Sequence, residues 1–166
     1  ARALFRIAPA GHAPDLVRLL DQGDRGIAVC VLPLPAGIAG AFCKRDGQSF
    51  LFVNRDESAA RQRFTLAHEL GHHWHGHAAV VDPDSVLAGQ TRDPREVQAN
   101  AFAAEFLVPR QALLEWTEAQ SVTKVDLELL VRAANHFAVS TQVACFRYSD
   151  AGRLKPQQVK DFKAGF

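Results

Sequence analysis

The pentapeptide His68-Glu-Leu-Gly-His72 constrains this chain more than any other feature. On a helix each residue advances about 100°, so His72 lies about 40° round from His68 and one turn along. Both imidazoles then leave one face, at the spacing two ligands of a tetrahedral zinc ion need. Glu69 lies about 60° from His72, beside such a metal rather than on it, where it can take a proton from water. Random occurrence of this pattern in a chain of this length is on the order of 1%. The bland alternative is a polar surface helix. Against it stands an apolar stripe of Ala60, Phe64, Ala67, Gly71 and Trp74 at helical spacing, adjacent to the histidine face. Gly71 is a poor residue for a helix interior, and a close neighbour would explain it.

A catalytic zinc takes three protein ligands and keeps one position open. Glu96 is the best third donor, in Asp93-Pro-Arg-Glu96-Val-Gln-Ala-Asn100. Asn100 shares its face one turn on and can hydrogen-bond a ligating histidine. Ala99, Ala103 and Leu107 complete a small apolar stripe that permits close approach. The competing reading is a capping box, with Asp93 as N-cap, Pro94 at N1 and Glu96 at N3. Asp82 and Asp84 are weaker candidates. Glu105 points away from Glu96, about 180° round. His73 and His77 project away from His68 if the helix continues, and read as solvated. His75 lies on the metal face but about 10 Å along the axis from His68, so it suits a substrate cleft better than a metal.

The surroundings read as α+β. Pro14-Asp15 opens a first helix that Gly23 closes. Strand-like runs follow at 26–32, 38–44 and 48–54, punctuated by Pro33, Pro35, Gly37 and Gly47. Short connections suggest a small antiparallel sheet. Gly37 and Gly40 read as turn or close-packing residues. Helices are expected at about 57–76, from Asp93-Pro94 to before Pro109, at 110–119 and at 124–136, with a polar loop over 78–93. A short segment at 140–149 and a Lys-rich tail finish the chain. The organisation reads as a peptidase domain over 1–120 and a C-terminal helical segment over 121–166 packed on it.

A length of 166 residues, 48% apolar, supports a sizeable core. A net charge of +1 demands neither nucleic acid nor a membrane surface. No apolar run approaches the roughly 20 residues of a membrane span. The N-terminal stretch lacks the continuous apolar segment of a signal peptide. Cys30, Cys43 and Cys145 show no C-x-x-C spacing; Cys30 and Cys43 read as buried thiols in a reducing cytoplasm.

The stretches RQRFTLAHELGHHWHGH (61–77) and EVQANAFAAEFLVP (96–109) together resemble the ImmA/IrrE family of zinc peptidases. The resemblance spans roughly 26–149. It implies a gluzincin-like core, with zinc held by His68, His72 and Glu96 and Glu69 as catalytic base. It also implies cleavage of a cytoplasmic helix-turn-helix repressor or antitoxin-type regulator, in transcription control or stress response. Manganese or iron would also suit two histidines and a carboxylate. The chain departs from the family at Gln98, often Glu, and at Phe106-Leu-Val108-Pro, commonly Leu-Leu-Met-Pro. Gly76, flanked by His75 and His77, stands where the family often has His. His75, Tyr148 and Arg63 are candidates to line the cleft or stabilise the oxyanion.

A second function class competes. LELLVRAANHFAVSTQVACFRY (127–148) resembles a helix-turn-helix, and residues 124–163 carry seven Lys/Arg against four Asp/Glu, a net of +3. The chain would then be a non-proteolytic regulator or sensor that binds DNA here or through an upstream domain. The helical pair packing on the peptidase core is the simpler account, since so small a charge excess neutralises few phosphates.

Overall fold

A computed structural model describes residues 2, 3, 5, 7, 15–21, 26–122 and 124–163. Pro14, Gly23 and most of the N-terminal stretch lie outside the described residues. Among the described residues, contacts divide the chain into two units: residues 15–21 with 26–103, and residues 2, 3, 5 and 7 with 104–122 and 124–163.

The first unit is a sheet with helices. Helix α1 (Leu16–Asp21) buries Leu16 and Leu20. Strands β1 (Ile27–Leu32), β2 (Ile38–Arg45) and β3 (Gln48–Asn54) follow. Asp46 and Gly47 both take positive φ, 50° and 81°, the requirement of a two-residue hairpin turn whose twist matches the strands it joins. β2 and β3 are therefore antiparallel, with Phe42 opposite Leu51. The sheet order is β1-β3-β2-β4, and β1 pairs β3 in parallel, from Ile27 opposite Ser49 to Leu32 opposite Asn54. The sheet is mixed, not antiparallel. The antiparallel expectation assumed that β1 neighbours β2. Instead β3 inserts between them, so β2 itself carries the chain back and a parallel pair needs no helical crossover.

Helix α2 (Ala59–His75) starts at Ser58, whose side chain caps the Arg61 amide, and packs Phe64, Leu66, Ala67 and Leu70 into a core with Phe42, Leu51 and Val53. The segment 78–93 is not simply a loop. It holds β4 (Val80–Pro83), an edge strand antiparallel to β2, and α3 (Asp84–Leu87). The sheet is thus completed after α2, so sheet-then-helices describes the order only in part. Helix α4 (Pro94–Leu107) follows. Its Asp93 cap accepts the Arg95 amide at 2.9 Å.

The second unit is helical: α5 (Arg110–Ala119), α6 (Leu127–Phe137), α7 (Thr141–Asp150) and α8 (Pro156–Lys163), the last two lying where a short segment and a tail were expected. Leu113, Leu130, Ala133, Phe137 and Tyr148 fill its core. α6 and α7 are joined through Ala138, in the left-handed region, and Ser140, which caps α7. The only Lys or Arg of α7, Arg147, is 6% exposed. It donates to the Val108 carbonyl at 2.9 Å and pairs with Glu105 and Asp150. No disulfide joins the cysteines; Cys30 and Cys43 are half-buried rather than buried, and Cys145 is buried. No helix among the described residues is long and apolar enough to cross a membrane.

Candidate metal centre

Four buried side chains of the first unit converge: His68 and His72 from α2, Asp82 from β4 and Glu96 from α4. The two Nε2 atoms are 2.9 Å apart, and Glu96 Oε2 lies 3.2 Å from His68 Nε2 and 3.3 Å from that of His72. Asp82 Oδ2 stands slightly farther off, at 3.6 and 3.9 Å from the same nitrogens. Metal bonds of about 2.0–2.1 Å in a tetrahedron put neighbouring donors about 3.3 Å apart. Two histidines and Glu96 thus form a triangle of the size of one tetrahedral face.

The charges point the same way. Glu69, Asp82 and Glu96 are carboxylates in a nearly dry site, at 0%, 1% and 6% exposure. Both oxygens of Glu69 and Asp82 Oδ2 have no hydrogen-bond partner. Such a concentration of buried negative charge is costly unless a cation offsets it. The donor set therefore fits a divalent metal. Without one, burial disfavours a charged His68, but the neighbouring Asp82 and Glu96 carboxylates outweigh it and raise its pKa. Burial, then the neighbouring His68, lower His72 to about 4. Burial, then Asp82, push Glu69 well above the ordinary carboxylate value. Burial works against an ionised Asp82, yet the His68 imidazole holds its pKa below the ordinary value.

Hydrogen bonds behind the triangle fix how the imidazoles present themselves. Asn100 donates its Nδ2 to the Val86 carbonyl at 2.9 Å, which turns its Oδ1 toward His68 Nδ1 at 3.0 Å. His68 Nδ1 must then carry the proton, leaving the Nε2 lone pair inward. His72 is held by His77: their Nδ1 atoms are 2.9 Å apart, and His77 Nε2 meets Gln98 Oε1 at 3.1 Å. With Gln98 accepting from His77 Nε2, His77 Nδ1 accepts from His72, whose Nε2 again faces inward. Asp93 N donates to Thr91 Oγ1 and not to Glu96, so the reciprocal half of a capping box is absent.

Two glycines permit this arrangement. A β-carbon on Gly40 would overlap Glu69 Oε1 and Thr65 Cγ2, so the glycine makes the room in which the Glu69 carboxyl sits. A β-carbon on Gly71 would lie 3.1 Å from Ala99 Cα, and this close approach brings the Glu96 helix up to the motif helix.

The remaining candidates fall elsewhere. His77 does not face away, because the helix stops first. Gly76 takes φ 70°, its amide bonds the His73 carbonyl at 3.2 Å, and the His77 amide bonds the His72 carbonyl at 3.0 Å. This left-handed helix ending folds His77 back beside His72. The glycine after the last periodic residue was the signal for it. His73 is half-buried and bonds Ser49 Oγ at 2.7 Å, so it is not simply solvated. His75 is exposed, with its ring 5.7 Å from that of His77. Arg63 lines a groove of about 280 Å³ with Val31, Val53 and Leu66, and none of the four converging residues lines it. Tyr148 is fully buried in the second unit, its hydroxyl 2.7 Å from Thr117 Oγ1, and lines no open cleft. Asp82, ranked below Glu96 on sequence, belongs to the cluster because β4 replaces the expected loop.

Fold and site together define a metallopeptidase-like domain. Residues 22–149 match the IrrE N-terminal-like domain, peptidase family M78, and the chain belongs to that family. Among solved structures it is similar to a Mycobacterium tuberculosis transcriptional regulator, at 20% identity and a TM-score of 0.58, over 89% of this chain and 43% of that one. The chain thus spans less than half the length of that protein. A search of the curated proteins finds no match.

Proposed function

We propose that this chain is a zinc-dependent endopeptidase that hydrolyses a peptide bond in a cytoplasmic regulatory protein of the helix-turn-helix repressor or antitoxin type. His68, His72 and Glu96 are the metal ligands, and Asn100 orients His68. Bound zinc would supply Lewis acidity, polarising the scissile carbonyl and lowering the pKa of water. Glu69 accepts the proton of the attacking water and delivers it to the leaving amine. Exposed His75, at the His77 side of the centre, is our candidate for contact with substrate.

Glu69 is the observation that carries the reading. It is fully buried, unpartnered and outside the group of four converging donors. Neither folding nor metal binding needs a costly carboxyl there, whereas hydrolysis does. The second reading, a non-proteolytic regulator, draws on the likeness in fold to the M. tuberculosis transcriptional regulator. Its DNA-binding form gains nothing from α7, whose one basic side chain is buried in ion pairs.

The test is incubation of the zinc-loaded chain with repressors encoded near its gene, beside Glu69→Gln. Cleavage by the wild type alone is expected. Cleavage unaffected by Glu69→Gln would remove the assigned base, and unaltered regulation by that variant would favour the second reading.

A further inference from the structure

Asp82 stands where the proposed reaction needs an open position. The three edges of the His68, His72 and Glu96 triangle measure 2.9, 3.2 and 3.3 Å. Asp82 Oδ2 sits off that face at 3.6 and 3.9 Å from the two nitrogens, and all four donor atoms lie within 4.8 Å of one another. Its residue is 1% exposed and this oxygen has no hydrogen-bond partner, so it is buried and aimed into the centre. A site with four protein donors is closed in the manner of structural zinc, whereas catalysis requires a vacated fourth vertex.

The backbone under Asp82 is suited to yielding. β4 is a four-residue edge strand held only by β2 among the described residues. Its register shifts between Ile38 and Gly40, directly at the Gly40–Asp82 pair. A ladder interrupted at that pair has fewer hydrogen bonds to lose when the strand moves. Asp82 is thus the loosest of the four donors, on the weakest of the three elements.

We propose that Asp82 is a displaceable fourth ligand, which closes the metal centre at rest and leaves it when a carbonyl or other metal-seeking group enters. This rests on the metal-centre reading above. It makes the resting protein latent: a ligand that competes for the fourth vertex finds it open only for the fraction of time that Asp82 is off. A vertex open one-tenth of the time binds its ligand about tenfold more weakly than a permanently open one.

The experiment uses the full chain loaded with cobalt(II), with acetohydroxamate as the entering probe and the visible absorption of the metal as the readout. In the wild type the spectrum should be that of four protein donors, and acetohydroxamate should half-saturate at a concentration at least about tenfold above that for Asp82→Ala. Asp82→Asn, which keeps the shape with a weaker donor, should fall between. Thermal unfolding of each variant checks that it folds. Equal acetohydroxamate affinities and equal spectra in wild type and Asp82→Ala overturn the proposal and leave the metal centre standing. Loss of cobalt from both folded variants makes Asp82 obligatory rather than displaceable, and also overturns it. A wild type that takes up no cobalt or zinc sinks the metal-centre reading itself.

Discussion

Gly71→Ala sets two effects of known size against each other. In the middle of α2, alanine is favoured over glycine by about 1 kcal/mol of helix propensity. The new methyl, however, would lie 3.1 Å from Ala99 Cα, 3.2 Å from Ala99 O and 3.3 Å from Phe102 Cβ. Two of these are backbone atoms and cannot rotate away, so α2 and α4 must separate by a few tenths of an ångström. Overpacking of this kind costs about 1–3 kcal/mol. The balance is a loss of about 1 kcal/mol, and at about 2–4 °C per kcal/mol for a chain of this size Tm falls by about 3 °C. Glu96 lies three residues before Ala99 on the displaced helix, so its oxygen leaves the triangle with His68 and His72. We expect zinc to bind about tenfold more weakly, equivalent to about 1.4 kcal/mol. Calorimetry of the metal-free chain and chelator competition with zinc measure the two quantities. A Tm that rises with zinc affinity unchanged would mean that propensity wins and that the helices are not in tight contact at this point.

Gly40→Ala should displace the Glu69 carboxyl by about 1 Å, with hydrolysis falling about a hundredfold while zinc still binds; peptide cleavage and zinc stoichiometry on the same sample separate the two. His77→Ala removes the acceptor that holds His72 and should weaken zinc about 10–100-fold, with partial recovery in His77→Gln, whose amide oxygen can accept the same proton. Zinc binds the folded state, so at a free concentration of about 100 Kd it should stabilise the chain by about 2.7 kcal/mol, and chelation should lower Tm accordingly. An unmoved melting curve after chelation would count against a folded-state site. Asp126→Ala deletes the α6 cap, which accepts the Leu129 amide at 2.9 Å, and should cost about 1 kcal/mol in urea unfolding.

What the sequence made legible was what local chemistry dictates. Asp93-Pro94 and Pro109 bound α4, and Gly47 marks the turn between β2 and β3. The parallel pairing of β1 with β3 was not legible, because strand order is set by non-local contacts and the rule of short connections applies only to strands that are neighbours. β4 escaped for a different reason. Four residues ending in Pro83 carry too little periodicity to stand out from a loop, and with the strand went the weight due to Asp82. His77 was misjudged by extending the helix past Gly76, although a glycine there is itself a stop signal. Tyr148 and Arg63 were candidates by side-chain chemistry alone; Tyr148 is placed by core packing, which single-residue chemistry does not reveal.

The central claim is that α2 and α4 build one metal site from His68, His72 and Glu96. Titrating the full chain with zinc under native mass spectrometry, beside Glu96→Ala and Glu96→Gln with Asp93 intact, tests it most directly. One tightly bound zinc per wild-type chain, with affinity collapsing in both variants while the fold persists, is the predicted result. No stoichiometric zinc in the wild type, or equal affinity after loss of the Glu96 carboxylate, would contradict it.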